Sequence, residues 1–105
     1  MKIITRQEEQ ILLAVHHLDD NAYLITIRET IKVFTGKSLS VGTIYAPLNR
    51  LYKLGCLETY HGDPSSVRGG KAKKFYKITK SGYDALAEMK KQHEVMWKGL
   101  VFPKI

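Results

Sequence analysis

Ile11, Leu12, Ala14, Val15 and Leu18 recur at i, i+1, i+3, i+4 and i+7, which places them on one stripe of a helix over 6–18. Thr5 and Glu8 stand at the spacing of a capping box, in which each side chain bonds the other's backbone amide and fixes the helix start. Asp19-Asp20-Asn21 ends it. The next stretch, 23–35, fits two periods. Leu24, Ile27, Ile31 and Phe34 make a helical stripe, whereas Ile25, Ile27, Ile31 and Val33 alternate and are β-branched, as in a strand. Its length, with Gly36 at the place of a helix-terminating glycine, favours a second helix. Ser40 is a good N-cap for a third, running to about Leu54 with Gly55 closing it. On that helix Ile44, Leu48 and Leu51 share one side. Gly42, Ala46, Asn49, Arg50 and Lys53 share the other, with Thr43 at its edge. Pro47 removes one backbone bond and crowds the carbonyl of Thr43, so a kink is expected there.

Beyond Gly55 the period changes. Residues 56–60 (CLETY) read as a short strand, and 61–72 is a loop by its Gly, Pro and Ser content. Residues 73–78 (KKFYKI) alternate as a second strand, which would pair with the first as a hairpin. Thr79 caps a last helix over about 80–99, with Leu86, Met89, His93, Met96 or Trp97 and Leu100 along one side. Three helices, a β-hairpin and a further helix describe a mainly α fold with a small β-hairpin wing (α+β). The expected architecture is a winged helix-turn-helix plus a C-terminal dimerisation helix. The expected division is 1–79 for the winged helix-turn-helix and 80–105 for the dimerisation helix.

Charge changes the picture. With 17 Lys+Arg against 10 Asp+Glu the net charge is +7. Residues 1–36 and 81–105 are nearly balanced, so the surplus lies in 37–80, on the third helix and the hairpin. A polyanion is the implied partner, and the shape points to double-stranded DNA. The third helix would lie in the major groove, with the wing on the backbone or minor groove. The 105 residues suffice for one domain, with 44% apolar and 26% charged positions. Cys56 is the one cysteine, which excludes an intrachain disulfide and suits a reducing compartment. No apolar run is long enough for a membrane span, and the N-terminus lacks the apolar core of a signal peptide, so a cytoplasmic protein is expected.

At GTIYAPLNRLYKLGCLE (42–58), GGKAKKFYKIT (69–79) and TKSGYDAL (79–86) the chain resembles the PadR family of bacterial transcriptional regulators. The likeness runs over roughly residues 20–90, and the Gly-Thr-aliphatic-Tyr block is its most specific part. Family members usually place a proline directly after that tyrosine, whereas Ala46 intervenes here before Pro47. The resemblance implies a dimeric, effector-responsive repressor of the short subfamily, in a bacterial cytoplasm. It also sets Tyr45 near the DNA backbone.

The expected DNA-facing set is Ser40, Thr43, Tyr45, Asn49, Arg50 and Lys53 on the third helix, and Arg68, Lys71, Lys73 and Lys74 on the wing. Asn pairs with adenine, and Arg or Lys with guanine, through the major groove; flanking lysines suit phosphates. Ser40 is accounted for by capping alone. Tyr45 and Tyr52 stand seven residues apart on the helix flank, where packing against the wing or first helix is the alternative to a phosphate contact. Leu86, Met89, His93, Met96, Trp97 and Leu100 are the expected dimer interface, and Trp97 with Met96 would suit a small planar hydrophobic effector. Plain dimer packing explains the same residues. Cys56 and His61 fall on opposite strand faces, and no metal-ligand spacing or catalytic motif stands out, so no cofactor and no enzyme activity are expected. The competing functional class is a winged-helix module that binds protein or RNA and has no operator of its own.

Overall fold

The computed structural model describes residues 3–62 and 73–104. Its order is α1 (Arg6–Leu18), a short 3-10 turn (Asp19–Asn21), α2 (Leu24–Thr35), α3 (Val41–Lys53), β1 (Leu57–His61), β2 (Lys74–Ile78) and α4 (Lys80–Trp97). The expected fold class is the one observed, four helices with a two-stranded antiparallel hairpin.

Local chemistry sets the helix starts. Thr5 accepts from the Glu8 amide at 3.1 Å while Glu8 accepts from the Thr5 amide at 2.8 Å. Ser40 and Thr79 each accept from the amide three residues on, at 3.1 Å. Burial resolves the ambiguous second segment. Ile27 and Ile31, four apart, are fully buried while Ile25 and Val33 are exposed, which is the pattern of a helix and not of a strand. Gly36 ends α2 at φ 74°, a left-handed backbone that glycine adopts without cost. Its amide donates to the Lys32 carbonyl at 2.7 Å. α3 runs uninterrupted through Pro47, so the lost bond falls on the Thr43 carbonyl without ending the helix.

Ile11, Leu12 and Val15 of α1, Ile27 and Ile31 of α2, and Ile44, Leu48 and Leu51 of α3 meet in one core, closed by Leu57, Tyr76, Ile78 and Ala85. The hairpin pairs Leu57 with Ile78 through His61 with Lys74. The first strand begins one residue later than the sequence suggests, because Cys56 is occupied in a turn. Its amide donates to the Leu51 carbonyl (2.9 Å) and its carbonyl accepts from the Thr79 amide (3.1 Å). A further pairing was not foreseen. The Tyr76 amide donates to the Ala22 carbonyl at 2.8 Å, and Tyr23 forms a bridge with Phe75, so the segment before α2 acts as a third edge of the sheet.

α4 begins inside this core. Gly82 and Ala85 are buried, and Leu86 and Met89 are packed partly against the same cluster. The helix ends at Trp97, two residues short of the expected end, and Gly99 follows at φ 80°.

Candidate nucleic-acid interface

α3 buries Ile44, Leu48 and Leu51 and leaves its opposite line to solvent. At about 100° per residue that line is Gly42, Ala46, Asn49 and Lys53. Gly42, Ala46 and Lys53 are exposed and Asn49 half-buried. The two small residues allow a close approach of the helix to a ligand, and the two polar ones follow on the same line.

The flanks of α3 differ. One carries Tyr45 and Tyr52, each about half exposed. This flank faces the hairpin: Lys74 Nζ lies 5.8 Å from the ring centroids of both Tyr52 and Tyr76. Burial, and then the nearby Tyr45 phenol, push the Tyr76 hydroxyl above its ordinary pKa. The other flank carries Thr43 and Arg50 and faces the start of α1. Arg50 Nη1 donates to Glu8 Oε1, and Nη2 reaches the Ile3 carbonyl at 3.5 Å. Glu8 is 2% exposed, whereas the Arg50 side chain is 50% exposed. Ser40 serves as the cap of α3, and its hydroxyl also lies 2.7 Å from that of Thr43.

Of the four wing cations, Arg68 and Lys71 lie outside the described residues. Lys73 and Lys74 are adjacent in sequence and diverge, as the alternation of a strand dictates. Lys74 leans toward α3. Lys73 Nζ instead sits 4.3 Å above the Tyr23 ring and donates to its hydroxyl at 3.3 Å. Tyr23 meets Phe75 edge-on, and Phe75 stacks on Tyr60 with centroids 5.5 Å apart, an aromatic set at the wing root that the sequence pattern did not single out. The Glu8–Arg50 pair was missed as well. Its signal was available, since a carboxylate beside the apolar stripe of α1 needs a cation or donors once buried.

The expected stripe on α4 divides in two. Leu86 and Met89 serve this chain's own core, and His93 Nε2 meets the Glu9 carboxylate of α1 at 2.9 and 3.0 Å. Met96, Trp97 and Leu100 are exposed, together with Val95, Val101 and Phe102. The Trp97 and Phe102 rings lie 6.2 Å apart. Cys56 is buried, and among the described residues no three His, Cys, Asp or Glu side chains come together as metal ligands. Nor, among them, is any helix long and apolar enough to cross a membrane.

Similar solved structures include a transcriptional regulator from Clostridium thermocellum, 22% identical over 87% of this chain and 85% of that one, with a TM-score of 0.71. A PadR family transcription regulator from Clostridium difficile is 24% identical over 90% of this chain and 92% of that one, also with a TM-score of 0.71. A PadR family regulator from Eggerthella lenta is 24% identical over 90% and 80%, with a TM-score of 0.68. At these identities the likeness establishes the winged-helix fold. No curated protein matches the sequence. Residues 12–88, most of the chain and most of the core built above, match the transcriptional regulator PadR-like family. The chain therefore belongs to the PadR-like family of DNA-binding transcriptional regulators.

Proposed function

We propose that the protein is a homodimeric repressor that binds a palindromic operator, with α3 in the major groove and the wing on the adjacent backbone. One observation carries this reading: the line of exposed Gly42, Ala46 and Lys53 with half-buried Asn49 is joined to the wing by Lys74 over Tyr52, so reader helix and wing cation form one surface. Asn49 and Lys53 are the base readers on this reading. Thr43, Tyr45 and Lys74 approach phosphates or base edges beside them, together with the wing cations Arg68 and Lys71. Ser40 caps the helix that holds them. The apolar end of α4, with Met96, Trp97 and Leu100, pairs with a second copy and brings two reader helices about 34 Å apart. Because Gly82 and Ala85 belong to the core of the DNA-binding unit, the joint between the two functions falls within α4. Release by a small planar effector would use the Trp97–Phe102 pair, in the cytoplasm of a bacterium.

Light scattering tests the dimer, and duplex binding at two salt concentrations tests the interface. Twice the chain mass, with affinity falling steeply as salt rises, supports the proposal. A monomer without salt-dependent duplex binding contradicts it.

A further inference from the structure

An α-helix with its side chains is about 10–12 Å across and the major groove about 12 Å wide, so a helix seated there turns its two flanks toward the two phosphate strands. On one flank of α3 the cation is Lys74, resting on Tyr52. On the other it is Arg50, and Arg50 is not free to extend along the reading line. Its Nη1 is held by Glu8, a carboxylate that is 2% exposed and itself fixed by accepting the Thr5 amide at 2.8 Å.

We infer that Arg50 is a sequence-independent phosphate clamp and Glu8 the residue that positions it, leaving base reading to Asn49 and Lys53. This rests on the proposal that α3 enters the major groove. A guanidinium has five donors in a rigid fork. One is committed to Glu8 and a second makes a long contact to the Ile3 carbonyl, while half of the side chain stays open to a phosphate. Anchoring the fork beforehand removes most of the ordering cost that a loose arginine would meet on binding. The anchor also keeps the guanidinium on the α1 side of the helix and away from the groove floor. Glu8 thus has two partners from different elements, the cap of α1 and the flank of α3, and it transmits the position of α1 to α3.

The test uses the full chain, a duplex selected from a random pool, its single-base variants and an unrelated duplex. Arg50→Ala alone leaves a buried carboxylate without its cation, so it is combined with Glu8→Gln, which keeps an acceptor for Thr5. Circular dichroism confirms folding. The double variant is expected to bind every duplex about tenfold more weakly, to lose about one unit of salt slope, and to rank the base variants as the parent does. Arg50→Lys should keep the slope and lose several-fold in affinity, because one ammonium cannot serve carboxylate and phosphate together. Glu8→Gln alone should also lose several-fold with the slope kept. A changed preference at one base position in the double variant would overturn the clamp, as would parental affinity and slope. Binding by Glu8→Gln as tight as the parent's would remove Glu8 from the role. Asn49→Ala and Lys53→Ala serve as the control for the underlying docking: if neither shifts the base ranking, α3 is not the reader, whatever Arg50 does.

Discussion

Lys73 and Lys74 are neighbours with the same charge and different duties. Lys74 lies by α3 and Lys73 is spent on Tyr23 at the start of α2. From sequence alone both suit phosphates equally. The alternation of the strand separates them, so Lys74→Ala should weaken all duplexes and flatten the salt slope by about one unit, while Lys73→Ala leaves the slope nearly unchanged. Binding measured across a salt series checks both. Tyr76 gives a second residue-scale expectation. Burial raises its phenol above the ordinary 10.0, so the unfolded chain loses that proton first. Its contribution to stability is whole below pH 10.0 and is lost as pH rises through the higher folded-state value. Tyr76→Phe should move the alkaline unfolding midpoint upward, and a midpoint equal to the parent's would show that this group does not govern it. Residue-scale features that depend on near neighbours were legible: Thr5, Ser40 and Thr79 all cap as their spacing requires. The Glu8–Arg50 pair spans 42 positions, so the stripe of α1 shows that Glu8 needs a partner but not that Arg50 is the one.

At the scale of elements, α2 shows how tertiary burial decides what local preference leaves open. Its β-branched residues favour a strand, yet the core takes Ile27 and Ile31 from one helical face and leaves Ile25 and Val33 outside. The third edge formed by Ala22 and Tyr23 was not legible, because a pairing this short has no period to read. The junction of α3, β1 and α4 is closely packed. A Cβ on Gly82 would stand 2.3 Å from the Cys56 carbonyl oxygen and 2.7 Å from Ile78 Cγ2. Backbone cannot move aside as a flexible side chain does, so Gly82→Ala should cost about 1–3 kcal/mol or more, despite the better helix propensity of alanine. Urea unfolding measures it, and a stabilised variant would mean that α4 shifts without penalty. The sequence pattern gives α4 a single stripe, whereas the structure divides it: Gly82, Ala85, Leu86 and Met89 lie over this chain's core, His93 reaches Glu9, and Val95, Met96 and Trp97 are exposed.

For the whole molecule, the exposed Val95, Met96, Trp97, Leu100, Val101 and Phe102 form an apolar end that a second copy would cover. Met96→Glu with Trp97→Glu leaves Leu86 and Met89 in place, so it should preserve the fold while yielding a monomer that binds the operator far more weakly. Sedimentation and duplex binding together check this, and a dimer that binds as the parent does would place the interface elsewhere. The fold class was legible throughout because helix and strand periods, caps and the charge surplus of residues 37–80 agree. Selecting bound duplexes from a random pool tests the central claim most directly, since it reports half-site and spacing at once. An inverted repeat with half-site centres about 34 Å apart, or a multiple of one helical turn, is the predicted result. A single unrepeated motif, or no enriched sequence at all, would contradict a dimer that reads DNA through two copies of α3.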